Sequence, residues 1–525
     1  MTTSTSTVTS TISDKRTAMT PCASIHGLHA VPCTVSVTLE RGLPSFDVAG
    51  LGEASVRELR VRVRAAISAA GHGFPVGRIT VSVNPTGVRR DSTAFDLPVA
   101  LAILAAAGIA DEAAAARTPS FGELSLDGSV RPVRGAISIA EAVRDAGATT
   151  CIVPGDNGAE ADLSGIEALR VRHLRDAIAF LNDSDQRPAV NPVGEEATLT
   201  ASRYPNAFSD MSDIRAVSDA VRFTLEIAAA GQHNILLVGG PGSGKTMMAR
   251  RLPGILPPLT SAESLNVTRA ASVAGLNVGG GRVRTRPFRA PHHSTTVAGI
   301  LGGGLVCRPG ELTLASGGVL FLDELPEFQR NTLEMLREPI GTRFVDLVRA
   351  SGGVTYPADA LVVGAMNPCP CGMLGHPRLR CRCSPADVER YRSRISAVLA
   401  IFDMHVDVPA VDLAAMGNAL PGESSAVIGH RVALARHRQV LRQGCINSHL
   451  TTEQLRQHAG LTEGGAAVLE QAVERLGLTA RVTTQVTKVA RTIADLAEQD
   501  AVAADHIAAA LQLRRRNADG EAHPS

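Results

Sequence analysis

The sequence predicts an α/β protein in two successive units, followed by a helical one. Three observations carry that reading. From about Ile25 to Asn182, strand-like alternation and helical spacing follow one another. From about Met211 to Val408 the strands are nearly continuous apolar runs: Ile235–Val238, Val319–Leu322 and Leu361–Gly364. Such runs mark a central parallel sheet covered on both faces. From about Ser424 to Arg516 the spacing is helical, with Val482, Val486, Val489, Ile493 and Leu496 on one stripe.

At roughly 100–200 residues per domain, a chain of 525 residues holds two to four domains. Hydrophobic residues make 44% and charged residues 20%, as in a globular protein. Aromatic residues make only 3%, so the cores are built from Ala, Val, Leu and Ile. Residues 1–20 are rich in Ser and Thr and lack the apolar middle of a secretion signal. They are expected to form a disordered tail, with Met19 as an alternative start. The first α/β domain then spans 21–182. Val35, Val37 and Leu39 alternate like a strand, and so does Ile79–Val83. Val56–Ala70, Leu97–Ala107 and Ile137–Ala146 have helical spacing, with short strands around Leu124 and Ile152. Residues 183–210 carry Pro, Asn, Gly and Glu without periodicity and are expected to be a linker. The second α/β unit is placed at 211–408, the helical unit at 409–516 and a tail at 517–525.

Composition also excludes some classes. No apolar run reaches the ~18–20 residues of a membrane span, and Ala-rich Leu97–Ala110 reads as a buried helix. A net charge of +1 gives no strong overall field for nucleic acid. Four of the nine cysteines crowd into Cys369–Cys383, unlike an extracellular disulfide framework. A cytoplasmic protein is expected.

Only three lysines occur, Lys15, Lys245 and Lys488, so a retained lysine is informative. Lys245 lies in the run Gly239-Gly240-Pro241-Gly242-Ser243-Gly244-Lys245-Thr246, which fits the P-loop pattern G-x-x-x-x-G-K-[ST]. An apolar strand enters this run and a helix leaves it. Its glycines let backbone N–H groups wrap a phosphate at a helix N-terminus. Lys245 is placed to reach the β- and γ-phosphates of ATP, and Thr246 to ligate Mg²⁺. Roughly seventy residues downstream, the strand Val319–Leu322 ends in Asp323 and Glu324. Asp323 can hold Mg²⁺ through water, and Glu324 can polarise the attacking water. The strand at Leu361 leads to Asn367, which can orient that water or, alternatively, cap a turn before Pro368.

Several segments then resemble one family in order along the chain. They are Ser45–Leu51, Phe95–Pro98, Gly122–Gly128, Arg286–His293, Leu322–Phe328, Met366–Gly372 and Val489–Leu496. Together these make the chain similar to the YifB/ComM family of magnesium-chelatase-like AAA+ ATPases. The resemblance implies a Lon-protease-like N-terminal domain, a central AAA+ domain and a C-terminal helical lid. It implies hexameric rings with nucleotide between subunits, and DNA as a partner in branch migration during natural transformation. Arg286–His293 corresponds to the helix-2 insert. His292 and His293, being adjacent, are expected to point apart and to serve the insert or a pore loop. Arg481 matches the second sensor, which touches the γ-phosphate from the lid.

The chain also departs from the family. Where relatives carry Leu-Leu-Asp-Arg-Ile-Asp, this sequence has Val398–Asp403, without the first Asp or the Arg. A missing arginine finger costs about 10³–10⁵ in rate. Arg392 and Arg394 are the substitutes nearest in sequence. In the N-terminal domain, the Lon-type Ser and Lys positions fall at Ala94 and Ile137. With no lysine between Lys15 and Lys245, a Ser–Lys protease is excluded, and Ser92 and Ser138 read as cap or surface residues.

Cys369, Cys371, Cys381 and Cys383 form two C-x-C pairs able to give four thiolates to a structural Zn²⁺, with His376 as an alternative ligand. The spacing is tighter than the usual C-x₂₋₄-C, and a reduced, metal-free loop stays open as the alternative. Three functions follow: a DNA-translocating ring ATPase, a chelatase-type motor remodelling a protein, or an ATP-binding scaffold with weak turnover. Arg514, Arg515 and Arg516 are read as a basic patch that solubilises a helix end.

Overall fold

A computed structural model describes residues 15–85, 93–185, 210–214, 218–276, 281–304, 307–349, 352–410 and 421–514. The expected linker lies almost wholly outside the described residues, as do the C-terminal tail, Ser92, Arg515 and Arg516.

The N-terminal unit begins earlier than expected. Lys15–His26 is a strand, hairpin-paired with His29–Glu40 through a turn at Gly27, whose φ is 68°. Residues 15–20 therefore belong to the sheet rather than to a tail. Their mixed sequence, Lys-Arg-Thr-Ala-Met-Thr, hides a period-two burial that turns Ala18 and Thr20 inward and runs on to Cys22. The strand Arg78–Asn84 pairs antiparallel with His29–Glu40, and Ser45–Ala49 lies parallel at the far edge. Helix Asp96–Ala106 packs on this sheet and is buried along its whole length, as its unbroken apolar sequence demands. Its first residue, Asp96, is also buried. Desolvation pushes its carboxyl up to about 6, while Arg62, 2.6 Å away, pulls the other way. The Lon-type dyad positions Ala94 and Ile137 are both buried, 2% and 0% exposed. Ser138 is not a cap or surface residue. It is buried, and its hydroxyl donates to the Leu28 carbonyl at 2.6 Å, tying a helix to the first hairpin.

The second unit contains a five-stranded, all-parallel sheet. Its strand order is Phe288–Arg289, Val319–Leu322, Leu361–Met366, Ile235–Val238 and Met404–Asp407. The three apolar runs form its centre. Both edge strands escaped sequence reading: one spans two residues, and the other, Met-His-Val-Asp, alternates with polar residues.

The helices from Ser425 onward share a core with this sheet rather than standing apart. Val486, Val489 and Ile493 pack in one cluster with Ile235 and Leu237, and Val482 and Leu496 flank it. Arg514 does not join a solvated patch. It is buried and donates to the Phe402 carbonyl, closing the last described turn onto the sheet. Among the described residues no helix is long and apolar enough to cross a membrane.

Helix Ser261–Ala274 joins the two α/β units. Arg269 grips Glu141 through two hydrogen bonds of 2.7 and 2.8 Å, and the Gly135 N–H donates to the Ser272 carbonyl at 3.2 Å. The Ser272 hydroxyl donates to buried Glu160. Desolvation raises the Glu160 carboxyl from 4.5 to about 7, against hydrogen bonds from Ser272, Ile137 and Asn157. The folded state then holds a proton that the unfolded chain has lost. Stability contributed at acid pH is lost as pH rises through about 7. The shift is worth on the order of 3 kcal/mol. Glu160→Gln is expected to flatten the fall in melting temperature between pH 5 and pH 8, followed by circular dichroism. An unchanged slope would show that this carboxyl does not govern it.

Candidate nucleotide site

The site follows from the parallel register. Pairing of Val319 with Leu361, and of Val363 with Ile235, aligns the carboxyl ends of three strands on one edge. Each strand then releases its polar residues there: Gly239 after Val238, Asp323 after Leu322 and Asn367 after Met366. In open α/β sheets, ligands bind at this edge.

The loop Gly239–Gly244 turns tightly into helix Lys245–Ile255. A side chain at Gly239 would come within 2.5 Å of the Val408 carbonyl. Gly242 and Gly244 have φ of 74° and 89°, a region costly for other residues, and nothing lies within 4 Å of a Cβ placed on Gly242. Ser243 is buried, and its hydroxyl lies 3.4 Å from the Lys245 ammonium. That ammonium folds back over the loop, donating to the carbonyls of Gly239 at 2.7 Å and Gly240 at 2.9 Å. It also donates to Asn367 Oδ1 at 3.3 Å, so the first and third strand ends meet directly. Desolvation lowers the Lys245 pKa, opposed by Asp323. The Thr246 hydroxyl donates to Asp323 Oδ2 at 2.8 Å, joining the first and second strand ends. A hydroxyl and a carboxylate in contact, beside an ammonium at a helix N-terminus, fit a magnesium–triphosphate donor set.

Glu324 has φ 51°, a left-handed conformation uncommon for a non-glycine residue and costing about 1–3 kcal/mol. Its N–H donates to Asp323 Oδ1 at 2.9 Å, and its side chain is 63% exposed. One carboxylate oxygen lies 3.3 Å from His293 Nδ1. Sequence reasoning missed this partner. It is explained by the edge strand: Arg289 pairs with Leu320, so the chain running on to His293 reaches the same sheet edge as Glu324. His292 and His293 do not point apart, as expected for adjacent side chains, because the chain leaves the strand there. Their ring centroids are 4.0 Å apart. The expected insert residue Arg286 is buried, donating to the Gly317 carbonyl at 2.6 Å.

Arg481 is not brought to this edge. It donates to the Ala400 carbonyl at 3.2 Å and borders a cavity of about 440 Å³ with Asn234, Asp403 and Lys488. Asn234 precedes the strand Ile235–Val238, whereas the P-loop follows it. Four strand residues separate the two ends by roughly 13 Å. The expectation that Arg481 touches the γ-phosphate from its own lid is therefore corrected. Its helix packs beneath the opposite edge of the sheet. Arg392 and Arg394 are exposed, and Arg394 faces Glu327 at 3.3 Å.

The four sulfurs of Cys369, Cys371, Cys381 and Cys383 all lie within 4.8 Å of one another. His376 is not among them. Its Nδ1 accepts the N–H groups of Arg378 and Leu379 at 3.1 and 2.9 Å, which closes the intervening loop.

Comparison with known proteins agrees with this architecture. Residues 210–416 match the family described as magnesium chelatase, subunit ChlI. Residues 35–157 match subunit ChlI of Mg-chelatase, and 422–514 match the ChlI C-terminal family. The chain is 38% identical over 497 residues to the uncharacterized protein YifB of Salmonella typhimurium, covering 93% of this chain and 95% of that one. It is 36% identical over 491 residues to the competence protein ComM of Haemophilus influenzae, with the same coverage of 93% and 95%. A magnesium-chelatase 67 kDa subunit of Heliobacterium mobile is 28% identical over 188 residues, covering 30% of this chain and 28% of that one. With matches this long and this similar, the chain belongs to the YifB/ComM family of magnesium-chelatase-like proteins.

Proposed function

We propose that this chain is a cytoplasmic AAA+ ATPase that assembles into a homo-hexameric ring and moves on DNA, in the recombination of incoming strands during natural transformation. The observation that carries the motor is the meeting of Lys245, Thr246, Asp323 and Asn367 at one sheet edge. The DNA reading rests on the family and on the name of the competence relative.

In this reading the N–H groups of Gly240–Thr246 and the Lys245 ammonium hold the phosphates of ATP. Thr246 and Asp323 hold Mg²⁺, which when bound neutralises charge developing on the phosphates. Glu324 takes up the proton of the attacking water, and Asn367 orients that water. His293 holds Glu324 to one side until the insert moves. Arg481, exposed at the far edge, serves the nucleotide of a neighbouring subunit. A ring presents the far edge of one subunit to the near edge of the next.

A second reading, an ATP-binding scaffold with weak turnover, is favoured by one observation. The stretch in place of the family's Asp-Arg is a short turn around Leu399–Ile401, capped by buried Phe402, that supplies no charged side chain. Multiple-turnover phosphate release, measured with and without branched DNA, separates the readings. DNA stimulation is expected. Indifference to DNA favours a chelatase-type protein remodeller, and no turnover at all favours the scaffold.

Lys245→Ala is expected to weaken ATP binding at least about a hundredfold while leaving the circular dichroism spectrum intact. Retained affinity in calorimetry would remove the lysine from the site. Glu324→Gln is expected to bind ATP and slow turnover by roughly 10²–10⁴. His293→Ala, with Glu324 released, is expected to raise basal turnover and shrink its stimulation by DNA. Finally, mixing Lys245→Ala with Arg481→Ala should restore activity that neither has alone, because mixed interfaces pair an intact P-loop with an intact arginine. Absence of recovery would mean that Arg481 does not act across subunits.

A further inference from the structure

Sequence spacing left the cysteine cluster undecided between a zinc site and a bare loop. The geometry bears on both the metal and its consequence. Cys369 and Cys371 sulfurs are 3.4 Å apart, and each lies 3.6 Å from Cys381. A disulfide would need about 2.05 Å. A tetrahedron of four sulfurs, each about 2.3 Å from zinc, has edges of about 3.8 Å. The sulfurs therefore already stand near the corners of a zinc tetrathiolate.

Their surroundings also suit thiolates. The N–H groups of Arg382 and Met373 point at the Cys371 sulfur, that of Cys383 at Cys381, and that of Cys371 at Cys383. Amide donors of this kind orient and stabilise metal-bound sulfur.

The same loop abuts the nucleotide site at two places. Gly372, with φ 78°, sits so close to the P-loop that an added Cβ would come within 2.5 Å of Pro241. Its carbonyl would lie 3.1 Å from a Cβ on Gly240. Behind the second cysteine pair, helix Pro385–Ser393 carries Tyr391 back to Asn367, whose N–H donates to the Tyr391 oxygen. Asn367 in turn accepts from Lys245. The segment Cys369–Tyr391 thus leaves Asn367, presses on Pro241 and returns to Asn367. His376 closes the tip of the loop locally, and the meeting of four sulfurs joins its two limbs.

We propose that Cys369, Cys371, Cys381 and Cys383 bind one Zn²⁺ that fixes this segment against Pro241 and Asn367, making ATP binding at the P-loop depend on the metal. The coupling rests on the nucleotide reading above; the metal site does not.

The test uses the full chain. Mass spectrometry of the purified protein is expected to find about one zinc per chain. The double variant Cys381→Ser/Cys383→Ser should hold none. Cobalt loaded into stripped protein should give the intense sulfur-to-metal charge-transfer band of tetrathiolate coordination. Fluorescent ATP-analogue binding should weaken roughly tenfold to a hundredfold when a chelator strips the zinc, and should recover when zinc is returned. Recovery separates coupling from misfolding, which the double variant alone cannot do. Protein that neither carries nor takes up zinc, or that holds iron instead, overturns the site. Zinc removal that leaves ATP affinity unchanged overturns the coupling. Zinc-loaded protein that never binds ATP overturns the nucleotide reading and the coupling with it, while the zinc count still judges the metal site.

Discussion

The alignment of strand ends in the parallel sheet is the constraint on which the rest depends. The two parallel ladders set Val238 level with Met366 and Leu322 level with Gly364, so all three strands end within two residues of one another. The chain must then turn away three times at neighbouring points, leaving backbone amides and polar side chains facing one small volume. The contacts of Lys245 with Asn367, and of Thr246 with Asp323, follow from that alignment. A slip of two residues between the strands ending at Val238 and Met366 would move Asn367 about 7 Å from Lys245, and a like slip of the strand ending at Leu322 would carry Asp323 as far from Thr246. These strands are short, four to six residues, and are buried on both faces.

Rigidity beneath the site comes from the helical unit. Val486, Val489 and Ile493 press into the same cluster as Ile235 and Leu237, so the lid helix supports the strand that enters the P-loop. Buried Arg491 holds the far end of that helix by donating to the carbonyls of Ala459, Gln499 and Asp500. An uncompensated buried guanidinium would be costly, and these carbonyls together with Asp495 at 3.0 Å offset that cost. The N-terminal unit is attached differently. It meets the second α/β unit through Arg269 and Glu141, a pair largely shielded from water, and through Glu160, whose charge burial disfavours against the hydrogen bond from Ser272. A joint built partly on polar groups is easier to rework than an apolar one, which suits two units that share work.

Legibility in the sequence tracked the local strength of each physical signal. The loop Gly239–Thr246 was readable because its glycines, lysine and threonine stand at a fixed spacing between an apolar strand and a helix. The central strands were readable because burial on both faces leaves unbroken apolar runs. Edge strands were not, since they are short or half-polar, and neither the two residues Phe288–Arg289 nor Met404–Asp407 carry such a run. The inward face of the first strand lacks large apolar residues at its start, because burial on one face needs only small residues such as Ala18 and Thr20. Contacts between distant segments were the least readable. The approach of His293 to Glu324 depends on a strand pairing that no local pattern announces.

Arg481 is the sharpest case, because its residue type and helix were read correctly while its direction was not. The stripe Val482–Leu496 shows which face of the helix is buried but not which end of the sheet it lies under. That is decided by Gln485, which donates to Asp403 at 2.9 Å, while Asp403 accepts the N–H of Asn234 at 3.0 Å. These bonds anchor the start of the helix to the amino ends of the strands. Arg481 therefore stands exposed beside Ala400, one sheet length from its own P-loop. An arginine so placed lies away from the strand ends that carry Lys245, Thr246 and Asp323 of its own subunit.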